Sequence, residues 1–258
     1  MAHQAANAHT DRTPTTLPIT PARPVQDISG YTVFSAGDAG AAHVMAHRML
    51  DENNIEVGHQ LLGEWLQNHS GSGSDWIHLQ FHMGVFELGM NDWDAAYTRF
   101  MNEILPAAAT TEQALTDAPA LLWRLALTAS EPVVLPWEAL RRTALSRMQR
   151  PSEPFVELHN LLALAGASDL ASIDHWLETR PASLLSRRER LVEKMAVALR
   201  AHAAGSYKQA AIVLQRIVPE MSKVGGSRAQ NLLFRQLEDW CWDKVNDAAL
   251  APLYAKVA

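Results

Sequence analysis

Gly205-Ser-Tyr-Lys-Gln-Ala210 is the stretch that decides the fold, because a glycine turn followed by an aromatic and a small residue is typical of the second helix of a helical hairpin. A matching stretch runs Asn91-Asp-Trp-Asp-Ala-Ala96, and a weaker copy runs Asn54-Ile-Glu-Val-Gly58. The three copies lie in phase with a repeat of about 34–38 residues, and their small residues would let paired helices approach closely.

The rest of the chain fits the same plan. Apolar residues recur with helical spacing over segments of about 12–18 residues, separated by Gly, Asn, Asp or Pro, and no segment shows the alternation typical of a strand. The predicted helices span 39–52, 55–68, 75–89, 92–105, 112–129, 136–149, 154–165, 169–179, 187–204, 207–221 and 227–246. This pattern predicts an all-α protein. The repeated stretches resemble the tetratricopeptide repeat, which implies a tetratricopeptide-like α-solenoid of about five helical hairpins with a concave binding face.

Composition divides the chain into two parts. Residues 1–37 are rich in Pro and Thr with little apolar periodicity, which predicts a largely disordered arm. Residues 38–258 form the predicted helical repeat domain.

Charge and cysteine content limit the expected partners and the expected cellular compartment of the protein. The net charge of −6 gives no reason to expect nucleic acid or an anionic membrane as a partner. The chain shows no secretory signal pattern and no apolar run long enough to span a bilayer. Cys241 is the single cysteine, so no internal disulfide can form, and a cytoplasmic location is predicted. Its acidic neighbours Asp239 and Asp243 favour a buried thiol over a nucleophile.

Two histidine pairs are the main candidate site. His43 and His47 are four residues apart, and His78 and His82 repeat this spacing 35 residues further on. Residues at i and i+4 share a helix face, and imidazole is a common ligand of transition metals, so the pattern indicates a site for a divalent transition metal. The alternative is four histidines hydrogen-bonded between helices. The second pair lies at a different distance from its hairpin turn, which leaves its orientation open.

The carboxylates that would accept hydrogen bonds from these imidazoles and orient them are less clear in the sequence than the histidines themselves. Glu52, Glu56, Glu64 and Glu87 are nominal candidates. Asp117 and Arg124 are seven residues apart on one predicted helix and are interpreted as a surface stripe.

Other polar and aromatic residues have both a functional and a structural interpretation. His159 with Glu157 is a candidate catalytic acid–base pair or a polar first turn after Pro154. Trp76, Trp123 and Arg124 are a candidate ligand-binding lining or interhelical core.

The segment Ser227, Arg228 and Gln230 is the last candidate. After two glycines it is a candidate anion-binding helix start or a capping box.

Several segments, in order, resemble the carboxy-terminal part of the tetratricopeptide repeat protein 38-like family over about residues 38–245. They are Ala42-His-Val-Met-Ala-His47, Trp76-Ile-His-Leu-Gln-Phe-His82 with Trp93-Asp-Ala-Ala96, Asp117-Ala-Pro-Ala-Leu-Leu-Trp-Arg-Leu125, Phe155-Val-Glu-Leu-His159 and Gly225-Gly-Ser-Arg-Ala-Gln230. Arg228 stands where this family usually has His, and Glu157 where Asp is commoner. Family members are typically longer, with further helical repeats before this region. The resemblance implies a helical-repeat fold and leaves the function open.

Two functions therefore follow from the sequence. The first is a binding module whose His- and Trp-lined concave groove holds a peptide, protein or small molecule. The second is an enzyme of small-molecule metabolism, metal-dependent through the histidine pairs. The Pro-rich arm stands where the resembling family has further repeats, which predicts an exposed solenoid end. A homodimer and coverage by the arm are the two alternatives for this end.

Overall fold

The computed structural model describes residues 38–180 and 185–254, and within these ranges the protein is entirely helical, with no strand. The predicted arm, residues 1–37, lies outside the described residues. The eleven α-helices of the described part are α1 (Ala39–Asp51), α2 (Ile55–Asn68), α3 (Ser74–Gly89), α4 (Trp93–Arg99), α5 (Glu112–Thr128), α6 (Trp137–Arg147), α7 (Pro154–Gly166), α8 (Leu170–Glu178), α9 (Arg187–Ala203), α10 (Tyr207–Ile217) and α11 (Arg228–Tyr254).

Most predicted helix limits lie within one or two residues of these bounds, and the differences have local causes. Helix α4 continues as a π-helical turn, Phe100–Ile104, after which the Leu105 amide donates to the Phe100 carbonyl. Helix α10 tightens into a 3₁₀ turn, Val218–Lys223, at Pro219, which has no amide to donate. Helix α11 is longer than predicted and ends at Tyr254.

The same turn closes four of the hairpins. Each of these turns contains one residue with φ between 56° and 72°. The residue after it donates its amide to a carbonyl five residues earlier, which is the Schellman arrangement. The left-handed residues are Asn53, Asn91, Ser168 and Gly205. This recurrence shows that the hairpins are built alike, and α5–α6 differs because its connection is longer.

The helices pack in chain order. The odd-numbered helices α1, α3, α5, α7 and α9 each contact the next, and each even-numbered helix from α2 to α10 packs against its hairpin partner and the odd-numbered helix that follows. Helix α11 packs on α10 and also contacts α5 and α1, so the first and last described helices meet.

Small residues allow the close approaches that this packing needs. A Cβ placed on Gly58 of α2 would lie 2.4 Å from the Phe86 ring on α3, and one on Gly166 of α7 would lie 2.3 Å from the Trp137 ring on α6.

Cys241 is fully buried, and burial raises the pKa of its thiol to about 12, which confirms the interpretation as a buried thiol. No helix in the described ranges is long and apolar enough to cross a bilayer.

Candidate metal centre

Helices α1 and α3 bring the four histidines of the two pairs together. One potential ligand nitrogen from each of His43, His47, His78 and His82, hereafter the histidine cluster, lies within 4.8 Å of those of the others. Across the interface the ring centroids of His43 and His78 are 4.8 Å apart, and those of His47 and His82 are 4.5 Å apart. The two pairs therefore face each other, and the second is not rotated away from the first.

Local structure explains why α1 presents its pair inward. Asp38 caps the helix by accepting the Ala41 amide, which starts α1 four residues before His43. Buried Ala42, Met45, Ala46 and Met49 then hold the histidine-bearing side against the protein.

Hydrogen bonds fix one of the four rings. His78 Nδ1 lies 2.8 Å from the Oδ2 atom of Asp117, which is fully buried on α5. Because a carboxylate accepts, Nδ1–H is the donor, and in the neutral ring Nε2 then carries the lone pair. Metal-binding imidazoles usually donate their other ring N–H to a carboxylate or carbonyl in this way, which fixes the orientation of the ring.

His82 differs from the other members of the cluster in its burial and hydrogen bonding. It is fully buried, and neither ring nitrogen has a hydrogen-bond partner among the described residues. Leaving a buried polar atom unsatisfied costs about 1–3 kcal/mol, so such a side chain in a folded core needs an explanation. The Nε2 atoms of His43 and His47 also approach to 2.7 Å.

The charge state of the cluster suits metal binding. Burial, together with the neighbouring His78 and His47, lowers the pKa of His43 to about 4. Burial also lowers the pKa of His47, and it holds that of His82 well below the ordinary value. These three imidazoles are therefore neutral at pH 7, which is the form that coordinates metals.

Asp117 and Arg124 correct the interpretation as a surface stripe, because both are buried. Arg124 donates to the Ala120 carbonyl at 2.9 Å and to the Ala229 carbonyl at 2.7 Å, so it ties α5 to the first turn of α11. Burial lowers its pKa to about 10, against the opposing effect of Asp117. Asp117, rather than any of the nominal glutamates, is the acceptor beside the cluster.

Sequence reasoning missed this role of Asp117. The available signal was its position 39 residues after His78, close to one repeat length. Glu87, one of the nominal glutamates, instead pairs with Arg99.

The structure does not join His159 and Glu157 as an acid–base pair. His159 is buried and its Nδ1 donates to the Phe155 carbonyl at 2.7 Å, while burial lowers its pKa to about 4. The Glu157 carboxylate instead pairs with Arg180. The two side chains thus have separate partners, as expected for residues two apart on a helix.

The two predicted ligand-binding tryptophans differ in burial. Trp123 is buried and donates from Nε1 to the Leu162 carbonyl at 2.9 Å, which agrees with the interhelical-core alternative. Trp76 is half-buried and packs near Trp65, with ring centroids 6.2 Å apart.

The start of α11 is a capping box. The Ser227 amide donates to Gln230 Oε1 at 2.8 Å and the Gln230 amide donates to Ser227 Oγ at 3.1 Å. Arg228 is exposed beside it. Gly226, with φ of 80°, makes the preceding turn against the Phe155 ring.

The described residues form an all-helical fold with a four-histidine cluster between α1 and α3. No protein-family model matches the chain, and no solved structure matches it significantly.

Proposed function

We propose that the protein binds one transition-metal ion in the histidine cluster, with an imidazole nitrogen from each of the four residues as ligand. The observation that carries this proposal is the fully buried His82, whose two ring nitrogens lack hydrogen-bond partners among the described residues. A bound ion satisfies one of these nitrogens directly.

The ligand set selects the class of metal. Four imidazoles suit Zn²⁺, Cu²⁺, Ni²⁺ or Fe²⁺, whereas Mg²⁺ and Ca²⁺ require oxygen ligands. In a tetrahedral zinc site with bonds of about 2.0–2.1 Å, neighbouring nitrogens lie about 3.4 Å apart. The nitrogens of the cluster already lie within 4.8 Å of one another, so small side-chain rotations close the site.

The scaffold of this site, in our proposal, is the tetratricopeptide-like solenoid of five hairpins. Its support is the chain-order packing of the odd-numbered helices and the Schellman turn shared by four hairpins. The resemblance to the tetratricopeptide repeat protein 38-like family stays a proposal on the same grounds. In this proposal the odd-numbered helices line the groove, so the contacts of α11 with α5 and α1 cover part of it.

Two broader functions stay predictions. One is the binding of a peptide, protein or small molecule in a concave groove, and the other is metal-dependent enzyme activity in small-molecule metabolism. The burial of Trp123 and Arg124 removes two of the expected groove-lining residues from solvent. Metal binding is thus the narrower function that the geometry supports best.

Elemental analysis tests the proposal. The protein is purified without a histidine tag or chelator, loaded with Zn²⁺ and desalted, alongside His47→Ala and His82→Ala. His175→Ala, which removes an exposed histidine on α8, is the matched control. We expect about one ion per chain in the wild type and the control, and loss of the ion in both cluster variants. Metal-free wild-type protein after loading contradicts the proposal.

A further inference from the structure

We infer that the bound ion locks the hairpin α1–α2 onto α3, so that metal concentration controls the opening of this hairpin. The inference rests on the proposed metal site and adds its regulatory consequence.

The distribution of the ligands makes the ion a crosslink. Two of the four imidazoles belong to α1 and two belong to α3, so an ion held by all four joins two helices that share no covalent connection except through α2. Opening α1 away from α3 must therefore break two coordination bonds.

Packing alone holds α1 less firmly than it holds α3. Helix α1 buries four apolar residues, two of which are alanines, whereas α3 buries six larger ones: Ile77, Leu79, Phe81, Met83, Phe86 and Leu88. Stability against local opening follows the amount of buried apolar contact, so the α1 interface belongs to the less stable part of the core.

Without an ion, the cluster itself favours opening. The buried nitrogens of His82 gain water as hydrogen-bond partners when α1 moves away, which removes their cost in the closed state. With an ion, the same movement exposes nitrogens that were coordinated. The imidazoles therefore destabilise the closed α1–α3 interface without metal and stabilise it when the ion is bound.

The effect extends to the other end of the chain. Helix α1 contacts α11, and the first turn of α11 is held by Arg124 of α5. Opening of α1 therefore uncovers the side of α11 that it contacts, and the metal determines whether that surface is covered.

The thermodynamic linkage between metal binding and hairpin opening gives the expected change in the opening equilibrium. If opening releases the ion, the equilibrium constant for opening falls by a factor of one plus the ratio of free metal to its Kd. At free zinc 1,000 times the Kd, amides that exchange through this opening slow by about 1,000-fold. Their protection rises in direct proportion to free zinc above the Kd.

Hydrogen exchange with mass spectrometry on the full chain tests the inference, with free Zn²⁺ set by a metal buffer. We expect proportional protection of residues 39–68, and no zinc dependence in α9, whose residues 187–203 lie away from the cluster. His47→Ala should abolish the dependence, and His175→Ala should keep it. The wild-type titration carries the test alone if His47→Ala does not fold by circular dichroism.

The outcomes separate this inference from the proposed function. Stoichiometric zinc without a change of exchange in residues 39–68 overturns the lock and leaves the metal site in place. Equal protection of residues 39–68 and of α9 also overturns it, because the ion would then stabilise the whole protein. Failure to bind zinc at all removes the proposed function and the lock together.

Discussion

Replacing Asp117 by asparagine is expected to weaken metal binding by about 10–100-fold, the usual effect of losing a carboxylate that accepts a hydrogen bond from a metal-binding histidine. The Oδ2 atom of Asp117 lies 2.8 Å from His78 Nδ1 and the side chain is fully buried, so solvent does not screen its effect on the ring. Asparagine still offers an oxygen acceptor, and the loss therefore comes from the removed negative charge. It corresponds to about 1.4–2.7 kcal/mol of binding free energy.

Competition with a chromophoric zinc chelator measures this change directly. Asp117→Ala should bind more weakly than Asp117→Asn, because it leaves the His78 Nδ1–H without this acceptor. Asp94→Asn, an exposed change of the same chemistry on α4, is the control and should match the wild type. Wild-type affinity in Asp117→Asn would refute the assignment of Asp117 as the residue that orients His78.

Three further predictions concern stability, each measured by urea unfolding. His202 lies among the rings of Trp123, Tyr207 and Trp240, and burial lowers its pKa to about 4. The unfolded chain therefore takes up a proton near pH 6.5 while the folded protein does not. His202 should contribute about 2–3 kcal/mol to the fall in stability between pH 7.5 and 4.5, in addition to the other buried histidines, and His202→Phe should reduce the fall by this amount; an unchanged fall would contradict the assignment. Gly58→Ala should cost about 1–3 kcal/mol, because its Cβ would meet Phe86 at 2.4 Å. Gly63→Ala in the same helix, whose nearest contact is 3.4 Å, should not destabilise; equal losses would count against the close-packing argument. Ser227→Ala should cost about 1 kcal/mol by removing the capping box, whereas Ser206→Ala, where no side-chain cap exists, should be neutral. A neutral Ser227→Ala would show that the box is energetically unimportant.

Helix positions were predictable because the signals that start and end these helices are local. Asp38, Asp92 and Asp169 each accept an amide hydrogen bond at a helix start, and short polar residues are the ordinary sign of such a start. The left-handed Asn53 and Asn91 were likewise visible as turn residues. Ser168 was not, because serine rarely adopts a positive φ and only the surrounding turn imposes it.

The two histidine pairs could be predicted from the sequence, but the approach of the four imidazoles to one site could not. His78 lies three residues further from its hairpin turn than His43 does, which left the facing of the second pair open. Helix α3 is three residues longer than α1, which is close to one helical turn, so the second pair returns to nearly the same face.

Asp117 and Arg124 were misplaced for a different reason. Their spacing shows that they share a face of α5, but only the packing of α5 against α3 and α11 shows that this face is buried. A polar stripe along one helix fits solvent and a polar interior equally well, and tertiary structure decides between them.

The contact between α1 and α11 has a consequence for how the chain folds. In an open array each repeat touches only its neighbours, so folding can begin at any repeat and spread along the chain. Here Arg124 is hydrogen-bonded to a carbonyl 105 residues away, and the first described helix touches the last. Such distant contacts slow the search for the native state. The tie between α5 and α11 also opposes the fraying of α11, so the helices from α5 to α11 should unfold more cooperatively than a linear array of the same length.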